Sequence, residues 1–491
     1  MKLVLKGHDE RYTVEQSLMN LFPGELPVYA PMEPREDGAV LSCREAGDRL
    51  TASAELTLGG RTVSRTCETV LSGSDFDREG QRRHAIGACF YRAALEFLPS
   101  PPPWGMLTGV RPDKPAAWAV MAGKTRAEAR RMLEETYFVS PSRAELAAET
   151  GAVAAEAAKG LEPRDIAVYI GIPFCPTRCA YCSFVSQSVE KSFPLIAPYV
   201  DALIREIRTG GELVRRQGLR VRALYMGGGT PTTLSAEQLD RVLSAFEASF
   251  DTAPCGEITV EAGRPDTITA ERLAVLRDHG VTRVSVNPQT MEDRVLRAIG
   301  RGHTAGDIAR AMELTAEYGF PHVNMDLIAG LPEDTPEGFR RSLDQCLAYG
   351  TDNITVHTLA LKKGSRILTE GLAIPAPEAV AEMLDYAGSA LRAAGHRPYY
   401  LYRQKYMSGS FENIGWCRPG AACLYNIYIM SELCSILSFG AGGSTKMVEP
   451  GTNHIERAFN VKYPKEYTER PEKCLANQRL FAAFYQKFLP T

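Results

Sequence analysis

Three cysteines, Cys175, Cys179 and Cys182, stand at C-x-x-x-C-x-x-C spacing directly after the apolar run Tyr169-Ile-Gly-Ile-Pro-Phe174. Three thiolates on one short loop can bind three irons of a cubane cluster and leave the fourth iron without a protein ligand, open for chemistry. A structural zinc site normally closes its shell with a fourth Cys or His. Here Ser183 and Phe184 follow, and the next cysteine, Cys255, has no partner beside it. A disulfide framework is also disfavoured, because the other nine of the 12 cysteines are scattered singly and no signal peptide is read at the start. That pattern fits a reducing cytosol.

Such a loop needs a scaffold. From Ile166 onward, apolar strands alternate with longer amphipathic stretches, the pattern of β/α units around a parallel sheet. Six strands are expected, at residues 167–172, 223–229, 257–262, 283–289, 322–330 and 353–361. The stretches 235–250 and 270–280 carry helical periodicity, and Gly280 and Gly319 suit helix ends. Six successive units predict an α/β fold with a partial barrel, whose functional residues belong at the C-terminal ends of the strands. Cys175 follows the first strand and Gly227-Gly-Gly-Thr-Pro231 the second. Glu261 closes the third and Gln289 the fourth, Asp326 lies in the fifth, and Ala360 is near the end of the sixth.

The glycine turn lets backbone amides approach a small ligand, here the amino end of a molecule bound at the open iron. Glu261 and Asp326 are acceptors for ribose hydroxyls or an ammonium, and Arg301 offers a fork for a carboxylate. A zwitterionic ligand would satisfy all of these charges at once.

Around this centre the chain is long enough, at 491 residues, for two or three domains. Residues 1–160 are expected to form an α+β module: strand-like alternation such as Leu50-Thr-Ala-Ser-Ala-Glu-Leu-Thr-Leu58, a helical stretch near 85–97, a break at Pro99-Ser-Pro-Pro-Pro103, and a helical connector. Residues 161–370 make up the barrel and 371–491 a C-terminal α/β extension that covers the substrate. With 44% hydrophobic and 23% charged residues and no apolar run of membrane-spanning length, the expectation is a soluble, cytoplasmic protein. A net charge of -3 disfavours nucleic acid as a partner.

The cysteine triplet, the Gly-Gly-Gly-Thr-Pro turn and the six-unit pattern resemble the radical S-adenosylmethionine (SAM) superfamily. Within it, the Tyr169 spacing, Gly228-Gly229-Thr230, Glu261, Gln289, Arg301 and Asp326-Leu-Ile-Ala-Gly-Leu-Pro332 resemble the oxygen-independent coproporphyrinogen III oxidase group. Gly109-Val-Arg-Pro112, Val286-Asn-Pro-Gln-Thr-Met291 and Leu401-Tyr-Arg-Gln-Lys-Tyr-Met-Ser-Gly409 are similar more narrowly to HemZ-type coproporphyrinogen dehydrogenases. The resemblance implies a 4Fe-4S cluster on Cys175, Cys179 and Cys182, with SAM contacted by Tyr169, Gly228, Gly229, Thr230, Glu261, Gln289, Arg301, Asp326 and Ala360. It further implies reductive cleavage of SAM to methionine and a 5'-deoxyadenosyl radical, fed by a low-potential donor such as flavodoxin or ferredoxin. That radical would take hydrogen from propionates of a tetrapyrrole, whose two oxidative decarboxylations yield protoporphyrinogen IX.

A propionate-bearing substrate calls for cations, for which Arg403 and Lys405 are the first candidates and Lys362-Lys363 the second. The sequence departs from the oxidase pattern at Phe184, where that pattern has a further cysteine. This admits a haem-binding chaperone on the same scaffold, with His303, His357, Cys417 or Cys423 as axial ligand. A radical SAM methyltransferase or other tetrapyrrole-modifying enzyme shares the barrel signature. A tRNA-modifying enzyme would need a basic extension, of which residues 126–131 are a weak form.

Overall fold

The computed structural model describes residues 1–33, 35–182, 187–361, 364–404, 411–452 and 454–488. Phe184, Lys362, Lys363 and Lys405 lie outside the described residues. The chain divides into two compact units, Met1–Gly151 and Ala152–Thr491.

In the first unit, alternation of apolar and polar residues gives a five-stranded sheet in the order Val28–Tyr29, Lys2–Lys6, Gly38–Ala46, Arg49–Leu58, Arg61–Val70. Leu50, Ala52, Ala54 and Leu56 point to the buried face, where Val14 and Leu18 of helix Arg11–Leu21 and Ile86 and Phe90 of helix Asp75–Ala94 complete the core. Gly59 and Gly60 join the last two strands with φ of 58° and 78°, the backbone that a two-residue hairpin of native twist requires. Helix Asp75–Ala94 starts well before the helical stretch read near 85–97, because a capping box between Ser74 and Asp77 nucleates it upstream of its apolar face. The basic run at 126–131 opens helix Arg126–Tyr137, where Arg130 is paired with Glu134 and Glu145.

The second unit is built on six parallel strands, β1 (Asp165–Ile172), β2 (Arg220–Gly228), β3 (Glu257–Glu261), β4 (Arg283–Ser285), β5 (His322–Ala329) and β6 (Asn353–Thr358), hydrogen-bonded in that order. Later segments extend the same sheet at both edges. Antiparallel β7 (Arg397–Tyr402) and β8 (Asn413–Cys417) follow β6, whereas β9 (Ser435–Phe439) runs parallel to β1 and is followed by antiparallel β10 (Ser444–Val448) and β11 (Ile455–Phe459). The order across the sheet is therefore β7-β8-β6-β5-β4-β3-β2-β1-β9-β10-β11.

Helices α1 (Val189–Arg216), α2 (Ala236–Ser249), α3 (Ala270–Asp278), α4 (Ala305–Glu317) and α5 (Pro336–Ala348) alternate with the central strands. Capping boxes at Ser235–Gln238 and Thr304–Asp307 start α2 and α4. Gly280 and Gly319, both at positive φ, follow α3 and α4. Leu239, Val242, Leu243 and Phe246 form the buried stripe of α2 and join Val168, Ile170, Leu224, Met226 and Val260 in one core. Among the described residues, no helix is long and apolar enough to cross a membrane.

Two strands are shorter than their apolar runs suggested. Strand β4 stops at Ser285 because the chain turns out of extended geometry before Gln289, and β6 stops at Thr358.

Candidate functional site

The cysteine loop leaves β1 through Phe174–Cys175 and is fixed from two sides. On one side the glycine turn bonds to it: Gly229 N donates to Ile172 O (2.8 Å), Thr230 N to Phe174 O (2.8 Å) and Thr230 Oγ1 to Cys175 Sγ (3.6 Å). On the other, Ala180 N donates to Ile299 O (2.9 Å) and Thr177 Oγ1 to Gly300 O (3.3 Å). Both Gly228 and Gly229 are demanded by this packing. Gly228 sits at φ 112°, and a Cβ on Gly229 would lie 2.5 Å from Phe174 O.

A cavity of about 380 Å³ opens above the strand ends and is lined by Cys175, Cys179, Cys182, Gly228, Gly229 and Thr230, together with Glu261, Gln289, Arg301, Asp326 and Ala360. With His357, twelve residues singled out in the sequence thus share one wall or another of this cavity. Tyr169 is not part of the lining and lies behind it, stacked on Tyr225 and Tyr425. Arg403 also lies outside the lining, although its neighbours Tyr402 and Gln404 are in it. Burial pushes the Arg403 guanidinium down to about 10, with Glu412 opposing.

Several polar atoms here are buried without a hydrogen-bond partner. Gln289 has a left-handed backbone (φ 69°), fixed to β5 by Gln289 N to Asp326 O (2.8 Å) and Ile328 N to Gln289 O (3.0 Å), yet its Oε1 is buried without a partner. Asn287 Oδ1 and Arg301 Nε are likewise buried and unpartnered. The rest of the Arg301 fork is committed, donating to Asn287 O (2.5 Å) and Tyr181 Oη (3.1 Å). Strained backbone of this kind clusters at active sites and ligand clamps, and an unsatisfied buried polar group there calls for a partner.

The charges around the cavity are set by burial and by one another. Glu261 is raised to about 7 by burial, against a 2.5 Å hydrogen bond donated by Tyr225 Oη and with help from the Asp326 charge. Burial also opposes ionisation of Asp326, but His357, Asn324 and Thr355 outweigh it and hold that carboxyl below its ordinary value. For Cys179, burial pushes the thiol up while the guanidiniums of Arg301 and Arg264 pull it down, and the net direction is down. That environment favours the thiolate, the form in which cysteine binds metal.

Sequence reasoning missed Arg264, Tyr181 and Asn324, all of which line the cavity. Asn324 was legible in principle, since it lies two residues before Asp326 on the same strand. The proposed haem ligands separate. His357 is on the cavity wall, 3.7 Å from Asp326 Oδ2 and 3.5 Å from Tyr402 Oη. His303 is buried beside Arg301 and Arg264, outside the lining, and burial pushes it down to about 4. Cys417 and Cys423 are buried at the opposite ends of the strands, where Cys423 Sγ donates to Glu257 Oε1 (3.1 Å).

Three thiols at the mouth, a glycine cradle that side chains would fill and unpartnered polar atoms facing inward fit a cluster with a small zwitterion beside it. The superfamily model described as radical SAM matches residues 169–346. The chain belongs to the radical SAM superfamily, and its cofactors are a 4Fe-4S cluster and SAM. Over 482 residues, 96% of both chains, it is 33% identical to the oxygen-independent coproporphyrinogen-III oxidase-like protein HemZ of Bacillus subtilis (strain 168). It is 31% identical over 322 residues to the heme chaperone HemW of Mycobacterium tuberculosis (strain ATCC 25618 / H37Rv), covering 63% of this chain and 76% of that one. Its fold matches the structure of coproporphyrinogen III oxidase (HemN) from Escherichia coli with a TM-score of 0.52 at 24% identity, over 65% of this chain and 71% of the other.

Proposed function

We propose that the protein oxidatively decarboxylates coproporphyrinogen III to protoporphyrinogen IX. When bound, the cluster and SAM supply a one-electron reduction and a carbon radical able to take a hydrogen atom from a propionate. In each of two rounds the propionate gives up one hydrogen atom to that radical, then carbon dioxide and one electron, the electron passing to an external one-electron acceptor, and a vinyl group remains. Cys175, Cys179 and Cys182 would hold the cluster. The backbone carbonyls at Gly228, Gly229 and Thr230 would accept from the amino end of SAM, Arg301 Nε would donate to its carboxylate, and Glu261, Gln289 and Asp326 would take its ribose side. Tyr169 would support this wall from behind and Ala360 close it opposite. Arg403 and Lys405 are our candidates for substrate propionates.

The observation that carries this reading over haem delivery is the fate of the candidate axial ligands. Cys417, Cys423 and His303 are buried and outside the lining, and His357 stands between Asp326 and Tyr402. The HemW-named relatives, with His357 on the cavity wall, keep haem binding as the second reading.

Anaerobic protein carrying the cluster, reduced with dithionite and given SAM and coproporphyrinogen III, is expected to form 5'-deoxyadenosine together with mono- and di-decarboxylated tetrapyrrole by mass spectrometry. Cys179→Ala is expected to abolish both. Deoxyadenosine without any decarboxylated product overturns the proposal, and a haem titration followed by absorbance then tests the second reading.

A further inference from the structure

Arg264 is 3% exposed and sits just past β3, at the entrance to the short 3₁₀ turn Pro265–Thr267. Pro265 keeps Arg264 extended (φ -124°, ψ 123°), and its carbonyl is tied by Thr267 N (3.0 Å) and Thr267 Oγ1 (2.8 Å). The side chain is clamped as firmly as the backbone. Nε and Nη2 donate to the two carboxylate oxygens of Asp266 at 2.9 and 2.8 Å, the fork-to-fork geometry that fixes a guanidinium in plane. What this leaves, Nη1, points at the cysteine loop: it donates to Thr177 Oγ1 at 3.0 Å and stands 3.9 Å from Cys179 Sγ.

A buried cation held this rigidly against a cluster ligand has an electrostatic consequence. Reduction adds one electron and one negative charge to the cluster, 4Fe-4S in its 2+ state going to 1+ with no proton moved. A fixed positive charge beside a ligating sulfur stabilises the reduced state more than the oxidised one. Asp266, whose side chain is 34% exposed, partly cancels that charge from the far side. Thr177, in between, transmits the contact to the loop.

We propose that Arg264 is a positioning residue that raises the reduction potential of the cluster on Cys175, Cys179 and Cys182, and that Asp266 restrains the rise. The proposal rests on the family's cluster and is independent of which substrate is used. It also makes a signed prediction that a packing role does not: removing the two partners shifts the potential in opposite directions.

The test is a potentiometric titration of cluster-loaded protein, with dithionite as one-electron donor and the electron paramagnetic resonance signal of the reduced cluster as readout. Iron and sulfide content are matched to the wild type before comparison. Arg264→Gln is expected to make reduction at least about tenfold less favourable, a downward shift of about 59 mV for one electron. Asp266→Asn is expected to shift it upward by less. Arg264→Lys, which keeps the charge but loses the fork, is expected to fall between Arg264→Gln and the wild type, and it stands in where Arg264→Gln fails to load. Unchanged potentials in loaded variants, or shifts of one sign in Arg264→Gln and Asp266→Asn, overturn the proposal. Product formation is not read, so failure here is distinct from failure of the decarboxylase reading.

Discussion

The two ends of the parallel strands contain the same chemical parts, a cysteine, a buried arginine and a carboxylate, in opposite electrostatic arrangements. At the N-terminal end, Glu257 accepts from Cys423 Sγ and also from Leu424 N (3.2 Å) and Tyr425 N (3.3 Å), the first amides of the helix α6 (Leu424–Ser431). Arg283 sits behind it, donating to Glu257 Oε2, Asn353 Oδ1 and Ala421 O. The carboxylate thus faces the thiol, and burial with that charge drives Cys423 well above its ordinary value. At the C-terminal end the guanidiniums of Arg264 and Arg301 face the thiol, and Cys179 moves down. Residue types alone do not separate a structural cysteine from a ligating one; the sign of the nearest buried charge does.

The sharpest way to break this comparison is to remove one cysteine from each end. Cys179→Ala is expected to lose bound iron and all deoxyadenosine formation, whereas Cys423→Ala keeps the iron content of the wild type; equal iron loss in both would erase the distinction. Next, Arg283→Met removes the buried cation paired with Glu257 and is expected to lower stability by about 3–5 kcal/mol, read by anaerobic denaturant unfolding. The cluster of the folded fraction should remain intact.

A smaller effect concerns the raised carboxyl at the cavity. Glu261 holds its proton to about 7 in the native protein, against an ordinary 4.5, so the native state binds more protons than the unfolded state between those values. Its contribution to stability is complete below pH 4.5 and is lost as pH rises through about 7. Glu261→Gln is therefore expected to flatten the fall in melting temperature between pH 5 and 7.5 measured without SAM. A steeper fall in the variant would contradict the assignment. Smallest of all, Thr125→Ala removes the capping box of helix Arg126–Tyr137 in the first unit and should cost about 1 kcal/mol with no change in iron content, a baseline for the others.

Much of the site could be read in advance because it follows one rule, that chemistry gathers where parallel strands end. Cysteine spacing, the glycine turn, Glu261, Gln289 and Asp326 obey it, and their convergence needed only six strands in sequential order. Arg264 was invisible to that rule, since it lies beyond the strand in a turn whose direction depends on Pro265. Cys417 and Cys423 were read as ligand candidates because nothing local reveals their surroundings. The partner of Cys423 is 166 residues away, and only the folded sheet brings α6 under Glu257. The strand ends at Ser285 and Thr358 were misplaced because buried residues continue past them, Val286 to Gln289 after the first and Leu359 after the second, in segments that are no longer strand.

Gln289 carries a consequence for how this protein would change under selection. Its left-handed backbone costs about 1 kcal/mol that glycine would not incur, and its amide oxygen is buried without a partner. A screen for heat tolerance and a screen for turnover would therefore diverge at this codon, the first enriching glycine and the second retaining glutamine. Sequencing the survivors of both would show, at one position, how activity and durability trade against each other.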